Sequence, residues 1–304
     1  MSTHVGEVYI PTQEDFEYFV NLAKDENGWS KSYTSKSKSL PITAFTRIID
    51  GNDIRAVKVE SFFKGVSALN VYESLQDPEY RRTWDDAMKE GSRICYVSSN
   101  SEIGYYRLKS PFGLKDRDFV NQRSWHTDGS VYIIMNHSVV HKQKPQVEGV
   151  VRGISCITGY LIRPSGADSC EFIYITHSDP RGKLNDIYLL GYANLGKIPT
   201  WVVNATVKTF APLMTKRLYE AACGYSAWKA THNPDLKPWC NFAQLQAFPK
   251  LNPTDVGMLN SAAVSVINDD VEVPDREIIS PPSSESSPTL NDYENAIKVD
   301  PVKL

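Results

Sequence analysis

Phe16, Phe19, Val20 and Ala23 recur at steps of three and four behind Thr12 and Asp15. That is an amphipathic stripe behind a capping-box spacing, and it predicts a first helix that Gly28 closes. Three apolar runs follow, Trp29–Ser35, Ile42–Ile49 and Ile54–Phe63. In the third, Val57, Val59, Ser61 and Phe63 alternate with Lys58 and Glu60, which predicts a strand wet on one face. Ser67 can cap a short helix carrying Val71, Tyr72 and Leu75. Pro78 disfavours helical geometry at Asp77, so a second helical piece is expected from roughly Glu79 to Met88. Six strand runs then come in succession: Arg93–Ser98, Gly104–Lys109, Asp118–Trp125, Val131–Val140, Val150–Arg163 and Cys170–His177. Gly, Pro or Asp marks the breaks between them, so the region reads as an antiparallel meander. A long helix from about Pro199 to Ala222 ends the pattern, with Val203, Val207, Phe210, Met214, Leu218 and Ala221 on one face. Pro212 is expected to kink it and Gly224 to stop it.

Helix, three strands, two short helices, six strands and one long helix make an α+β architecture. The long amphipathic helix is the natural lid for a curved sheet, and the enclosed volume can hold side chains or a ligand.

Composition narrows the function. Of 304 residues, 41% are apolar and 23% charged, ordinary for a soluble globular chain. The net charge of −3 is uneven: Asn241–Leu304 holds ten acidic and four basic residues, leaving +3 for residues 1–240. That excess is too mild for nucleic acid, and leaves room for a weak preference for anionic membrane. The five cysteines are scattered, with no CxxC and no zinc-site spacing, as expected of reduced thiols in the cytosol. No signal peptide and no membrane-spanning run is read. Residues 253–304 are rich in Pro, Ser, Asp and Asn, with SPPSSESSP at 280–288, and read as disordered. The division expected is an N-terminal arm (1–11), one folded domain (12–240) and an acidic tail (241–304).

No GxSxG, Walker, GxGxxG or HExxH pattern occurs. His137 and His141 have no Cys or carboxylate at ligand spacing, so no metal is expected. His177 could act as a general base but has no adjacent nucleophile. Arg81 and Asp85 stand four apart on a predicted helix. They make either a surface ion pair of little value, or a guanidinium braced by Asp85 with donors left for a phosphate. Arg117-Asp118 reads as an ion pair at a strand entry.

Taken in order, YRRTWD (80–85), IGYYRLKSPFGLKDRDFV (103–120), QRSW (122–125), GYLIRPSG (159–166) and PTWVVN (199–204) resemble the START, or StAR-related lipid-transfer, family. The similarity is to its phosphatidylcholine-transfer-protein group, to members with an acidic C-terminal extension, and covers about residues 12–240. It implies a helix-grip fold: a curved antiparallel sheet around a long C-terminal helix, with a tunnel for one lipid and no catalytic residues or cofactor. It also implies that Arg81 contacts the lipid phosphate, that Asp85 braces it, and that aromatic residues at Tyr106, Phe119 and position 156 surround a choline. Cys156 departs from that pattern, because a thiol has no π face. Thr158 stands where the phosphatidylcholine binders carry a glutamine. The opened cage is expected to admit ethanolamine as well as choline.

The function expected is non-catalytic carriage of one phospholipid by a monomeric, cytoplasmic protein that meets membranes peripherally. Val203, Val207, Phe210 and Met214 would line the lid and cavity. A lipid sensor, or an enzyme on a helix-grip scaffold, is the rival. Arg181–Ile198 is longer than the connection the family uses before its last helix. Its apolar centre, Ile187, Tyr188, Leu189 and Leu190, is read either as a membrane-docking loop or as an extra packed turn. Ser287 and Thr289 are expected phosphorylation sites in the tail.

Overall fold

The computed structural model describes residues 4–49, 52–110, 115–181 and 206–257. Helix α1 (Gln13–Lys24) starts on the expected capping box, with the Thr12 N–H donating to Asp15 Oδ2 at 2.7 Å. Strands β1 (Ser30–Thr34), β2 (Ile42–Ile49) and β3 (Asn52–Lys64) follow, then α2 (Ala68–Gln76) and α3 (Pro78–Trp84). The meander comprises β4 (Met88–Ser98), β5 (Ser101–Leu108), β6 (Arg117–Thr127), β7 (Tyr132–Ser138), β8 (Val140–His141), β9 (Val151–Arg152), β10 (Ile154–Gly166) and β11 (Ser169–Asp179).

One sheet runs β1-β2-β3-β11-β10-β7-β6-β5-β4, all antiparallel, with β9 alongside β6 as a short parallel pair. One face takes the helices. There Ile42, Ala44, Val59, Phe63, Trp125, Ile134, Ile162 and Phe172 bury with Val71, Tyr72 and Leu75 of α2 and with Val207, Ala211, Leu218 and Ala222 of the last helical stretch. Helix α1 covers part of the other face, where Phe16, Phe19, Leu22 and Ala23 pack on Ile133, Met135, Ile157, Leu161 and Ile175. Each of the larger aliphatic and Phe side chains among them contributes roughly 1.5–3 kcal/mol on full burial. Gly159 permits that packing: a Cβ there would lie 2.5 Å from the Phe19 ring.

The last helix departs from its pattern. A π-helical turn, Thr206–Phe210, leads into α4 (Ala211–Lys229), which runs straight through Gly224. Pro212 therefore sits in the first α-turn instead of kinking a continuous helix. The wide turn falls where Pro212 cannot donate to the Lys208 carbonyl. The buried stripe shifts with it: Ala211, Thr215, Leu218 and Ala222 face inward, while Phe210 and Met214 are half-buried at its flank. Val203 and Pro199 lie outside the described residues.

Three further expectations change. The second short helix ends at Trp84, because Asp85 leaves helical geometry at φ −88°, ψ 77°, and Met88 already begins β4. The outer face of β3 is not wet at Lys58, which is 2% exposed. Its ammonium donates to Asp25 O at 3.0 Å, pairs with Glu60 at 3.0 Å and stands 5.2 Å from the Trp29 ring centroid. The folded chain also continues beyond residue 240. Cys240–Gly257 crosses to the β4 edge, where the Tyr96 N–H donates to Pro249 O and the Leu251 N–H to Tyr96 O, and β12 (Val256–Gly257) pairs with β8. At the other end, Tyr9 is held to β6 by Gln122 through both its N–H and its carbonyl. The tail from residue 258 onward, with Ser287 and Thr289, lies outside the described residues.

Candidate functional site

Helix α3 builds the site from its first residue. Asp77 caps it by accepting from the Glu79 and Tyr80 N–H groups, and Pro78 suits the first turn. Seven residues are long enough to put Arg81 and Asp85 one turn apart at the helix's end. Arg81 Nε lies 2.9 Å from Asp85 Oδ2, and the Tyr106 hydroxyl donates to the same oxygen at 2.7 Å. The Arg81 guanidinium stands over Tyr106, 4.9 Å from the ring centroid, and 5.9 Å from that of Trp84. Asp85 Oδ1 is buried without a hydrogen-bond partner among the described residues.

The pair is anchored below the surface. The Asp85 side chain is fully buried, so this is not an exposed pair. Arg81 engages it through Nε, and among the described residues its terminal nitrogens make no hydrogen bond. Burial works against the Arg81 charge, but the Tyr106 oxygen and Asp85 outweigh it and hold the group above its ordinary value. Tyr106 is pushed well above the usual phenol range by burial and then by Asp85. Both residues still keep accessible surface.

Cross-strand register fixes what shares that face, since directly paired residues point the same way. Tyr106 pairs with Phe119, so these two predicted residues stand side by side on β5 and β6. Glu102 pairs with Arg123, Arg123 with Asn136, Asn136 with Thr158, and Thr158 with Thr176, making one row across five strands. Arg123 lies four residues beyond Phe119, on the same face. Cys156 sits in a bulge between Ser155 and Ile157, half-buried, two residues before Thr158. Its thiol is pushed up by burial and by the charge of Asp179. The structure thus gathers Arg81, Asp85, Tyr106 and Phe119 at one end of the helix-facing surface, with Thr158 in the adjoining polar row.

Arg123 was legible only as part of QRSW. It donates from Nε to Gln76 Oε1 at 3.2 Å and from Nη2 to Leu75 O at 2.8 Å, closing the C-terminus of α2. Burial, then the neighbouring Arg81 charge, pushes it down to about 10.

The other candidates are structural. His137 lies 2.8 Å through Nε2 from Glu7 O, and burial takes it down to about 4. Arg117 is split from Asp118: Arg117 donates to Pro180 O and Arg181 O, while Asp118 takes two bonds from Arg152. Among the described residues no cluster of His, Cys, Asp and Glu suits a metal ion. Ile187, Tyr188, Leu189 and Leu190 lie outside the described residues.

The START domain family model matches residues 12–191. START domain-containing protein 10 of Mus musculus is 32% identical over 270 residues, covering 89% of this chain and 87% of that protein. Phosphatidylcholine transfer protein of Mus musculus is 24% identical over 190 residues, covering 60% of this chain and 80% of that protein. The crystal structure of human STARD10 superposes with a TM-score of 0.72 at 31% identity, covering 84% of this chain and 96% of that one. Human StAR-related lipid transfer protein 5 shares the fold, with a TM-score of 0.55 at 17% identity over 69% of this chain and 91% of that chain.

Proposed function

The chain belongs to the START domain family and has its helix-grip fold, and from that premise we propose that it binds one phospholipid and carries it between membranes without chemical turnover. The observation that carries this reading is Arg81: a desolvated guanidinium fixed by Asp85 and Tyr106, with hydrogen-bond donors left over. A phosphodiester supplies the missing anion. The relatives named for START domains and for phosphatidylcholine transfer point the same way.

The head group would lie beyond the phosphate, among Tyr106, Phe119, Cys156 and Thr158. Two rings offer a cation–π surface to an ammonium, and a thiol replaces the third wall. Choline and ethanolamine phospholipids are both within its range on this reading. The acyl chains would enter the apolar space between sheet and α4, beside Val207, Phe210 and Met214. Each methylene taken from a bilayer costs roughly 0.8 kcal/mol unless it is reburied, so the carrier must offer comparable burial. No described helix is long and apolar enough to cross a membrane. Peripheral contact from the cytoplasm, as a monomer, completes the proposal.

Arg81→Ala tests it. Phospholipid transfer between vesicles should fall at least tenfold, the loss of a charge-assisted contact of roughly 1.5–3 kcal/mol, while circular dichroism still reports the folded chain, whose melting temperature drops because Asp85 stays buried without its cation. Unchanged transfer and lipid occupancy would reduce Arg81 to a structural residue.

A further inference from the structure

The row that holds Thr158 is unusually polar for the inside of a lipid carrier. Ser155 Oγ lies 2.9 Å from Thr158 Oγ1, which is 2.8 Å from Thr176 Oγ1 and 3.2 Å from Ser178 Oγ, and the last two are 3.0 Å apart. The belt continues sideways, where the Ser138 hydroxyl donates to Asn121 Oδ1 at 2.8 Å and accepts from the Ser155 N–H at 2.8 Å. Thr158, Thr176 and Ser178 are only half-buried although they belong to central strands β10 and β11. Among the described residues no apolar cluster includes them, whereas Ile162 and Phe172 further along the same strands belong to one.

Hydrogen-bond supply decides what this belt wants. Each hydroxyl brings one hydrogen and two lone pairs, so the belt's own hydrogens can fill at most half of its acceptors. Thr158 Oγ1 alone meets three hydroxyl neighbours. The belt is therefore rich in acceptors and short of donors, and an unfilled acceptor away from water is costly. A quaternary ammonium has no N–H to give. A primary ammonium has three.

We propose that Thr158, Thr176 and Ser178 form an acceptor site for a primary ammonium head group, making ethanolamine phospholipid the preferred cargo over choline phospholipid. This rests on the phospholipid-carrier reading and sharpens it. Tyr106 and Phe119 supply the π surface that either ammonium can use. The hydroxyls supply the discrimination, because only the N–H groups of ethanolamine can occupy their lone pairs.

The test uses the full chain, incubated with vesicles of equal parts phosphatidylcholine, phosphatidylethanolamine and phosphatidylglycerol, and mass spectrometry of the captured lipid. Wild type should capture ethanolamine lipid in excess of choline lipid. In Thr176→Val/Ser178→Ala, which keeps shape and removes two acceptors, the ethanolamine-to-choline ratio should fall about tenfold, as the loss of charge-assisted hydrogen bonds predicts. Should the double variant fail to fold, Ser178→Ala alone should move the ratio the same way by a smaller factor. An unchanged ratio, or equal loss of both lipids, would overturn the ammonium site while leaving the carrier reading intact. Wild-type capture of phosphatidylglycerol on a par with phosphatidylethanolamine would reassign the belt to polyol hydroxyls and overturn it too. A wild-type protein that captures no phospholipid at all would instead sink the carrier reading.

Discussion

Cys156 is where a single residue has most leverage on selectivity. It stands at a bulge, half-buried, in the position where the related phosphatidylcholine binders are expected to present a third ring. Cys156→Tyr should restore a π wall, worth roughly 0.5–2 kcal/mol to a desolvated cation, and raise the captured choline-to-ethanolamine ratio severalfold. Lipid capture from mixed vesicles reads this directly, and no movement of the ratio would place position 156 outside the head-group site. At this scale the sequence was partly legible. The four-residue spacing of Arg81 and Asp85 announced a helical pair, but not that Asp85 would be fully buried or that the Tyr106 hydroxyl would share its oxygen at 2.7 Å. The hydroxyl belt was not legible. Ser155, Thr158, Thr176 and Ser178 come from two strands, and only the register of β10 against β11 makes them neighbours.

Elements were legible where local pattern and tertiary packing agree. The meander is one such case: alternation and short polar breaks specify hairpins almost unaided. Lys58 shows the limit, because alternation gives the face of a side chain but not what covers that face. The final helix shows another. Its 3.6-residue stripe slipped because a π turn inserts ahead of Pro212, and no periodicity reports a wide turn. What fixes this helix is a joint with α2 and α3. Asp77 caps α3 and also receives Lys229 Nζ at 2.8 Å and the Tyr225 hydroxyl at 3.3 Å. Beside it, Glu73 takes Lys237 Nζ at 2.7 Å. These links bind the C-terminal half of α4 and the segment just after it to α2 and α3, so opening for lipid is expected at the π-turn end. Asp77→Ala removes a cap and leaves Lys229, 6% exposed, with a buried charge lacking its carboxylate. The expected loss is about 3–5 kcal/mol, seen as a large drop in the denaturant midpoint. A drop under 1 kcal/mol would show that water or the Leu236 carbonyl carries the ammonium unaided.

For the whole molecule, the proposed carrier role requires a surface that meets a bilayer near the head-group site. Arg117 ties together two segments that flank the Phe119 end of the sheet. Its Nη1 donates to Lys115 O at 2.6 Å, at the base of the loop between β5 and β6. Its Nε and Nη2 donate to Pro180 O at 3.2 Å and Arg181 O at 3.1 Å, at the root of the long connection to the last helix. Pro180 and Arg181 are therefore held beside the proposed head-group site, by a residue two positions along β6 from Phe119. Its apolar centre, Ile187 to Leu190, with Arg181, Lys183 and Lys197 on its flanks, has the composition of an interfacial segment: apolar side chains for the acyl boundary and cations for anionic head groups. The anchors at Pro180 and Arg181 lie outside Asn185–Leu195, so deleting those residues keeps the staple. The shortened protein should fold, melt near wild type and retain bound phospholipid, yet bind anionic vesicles more weakly and transfer lipid severalfold more slowly, with the deficit shrinking as salt screens the wild-type attraction. Vesicle co-sedimentation and a transfer assay at two ionic strengths measure both effects. Unfolding on deletion would make the segment core, and undiminished binding and transfer would make it a passive insertion.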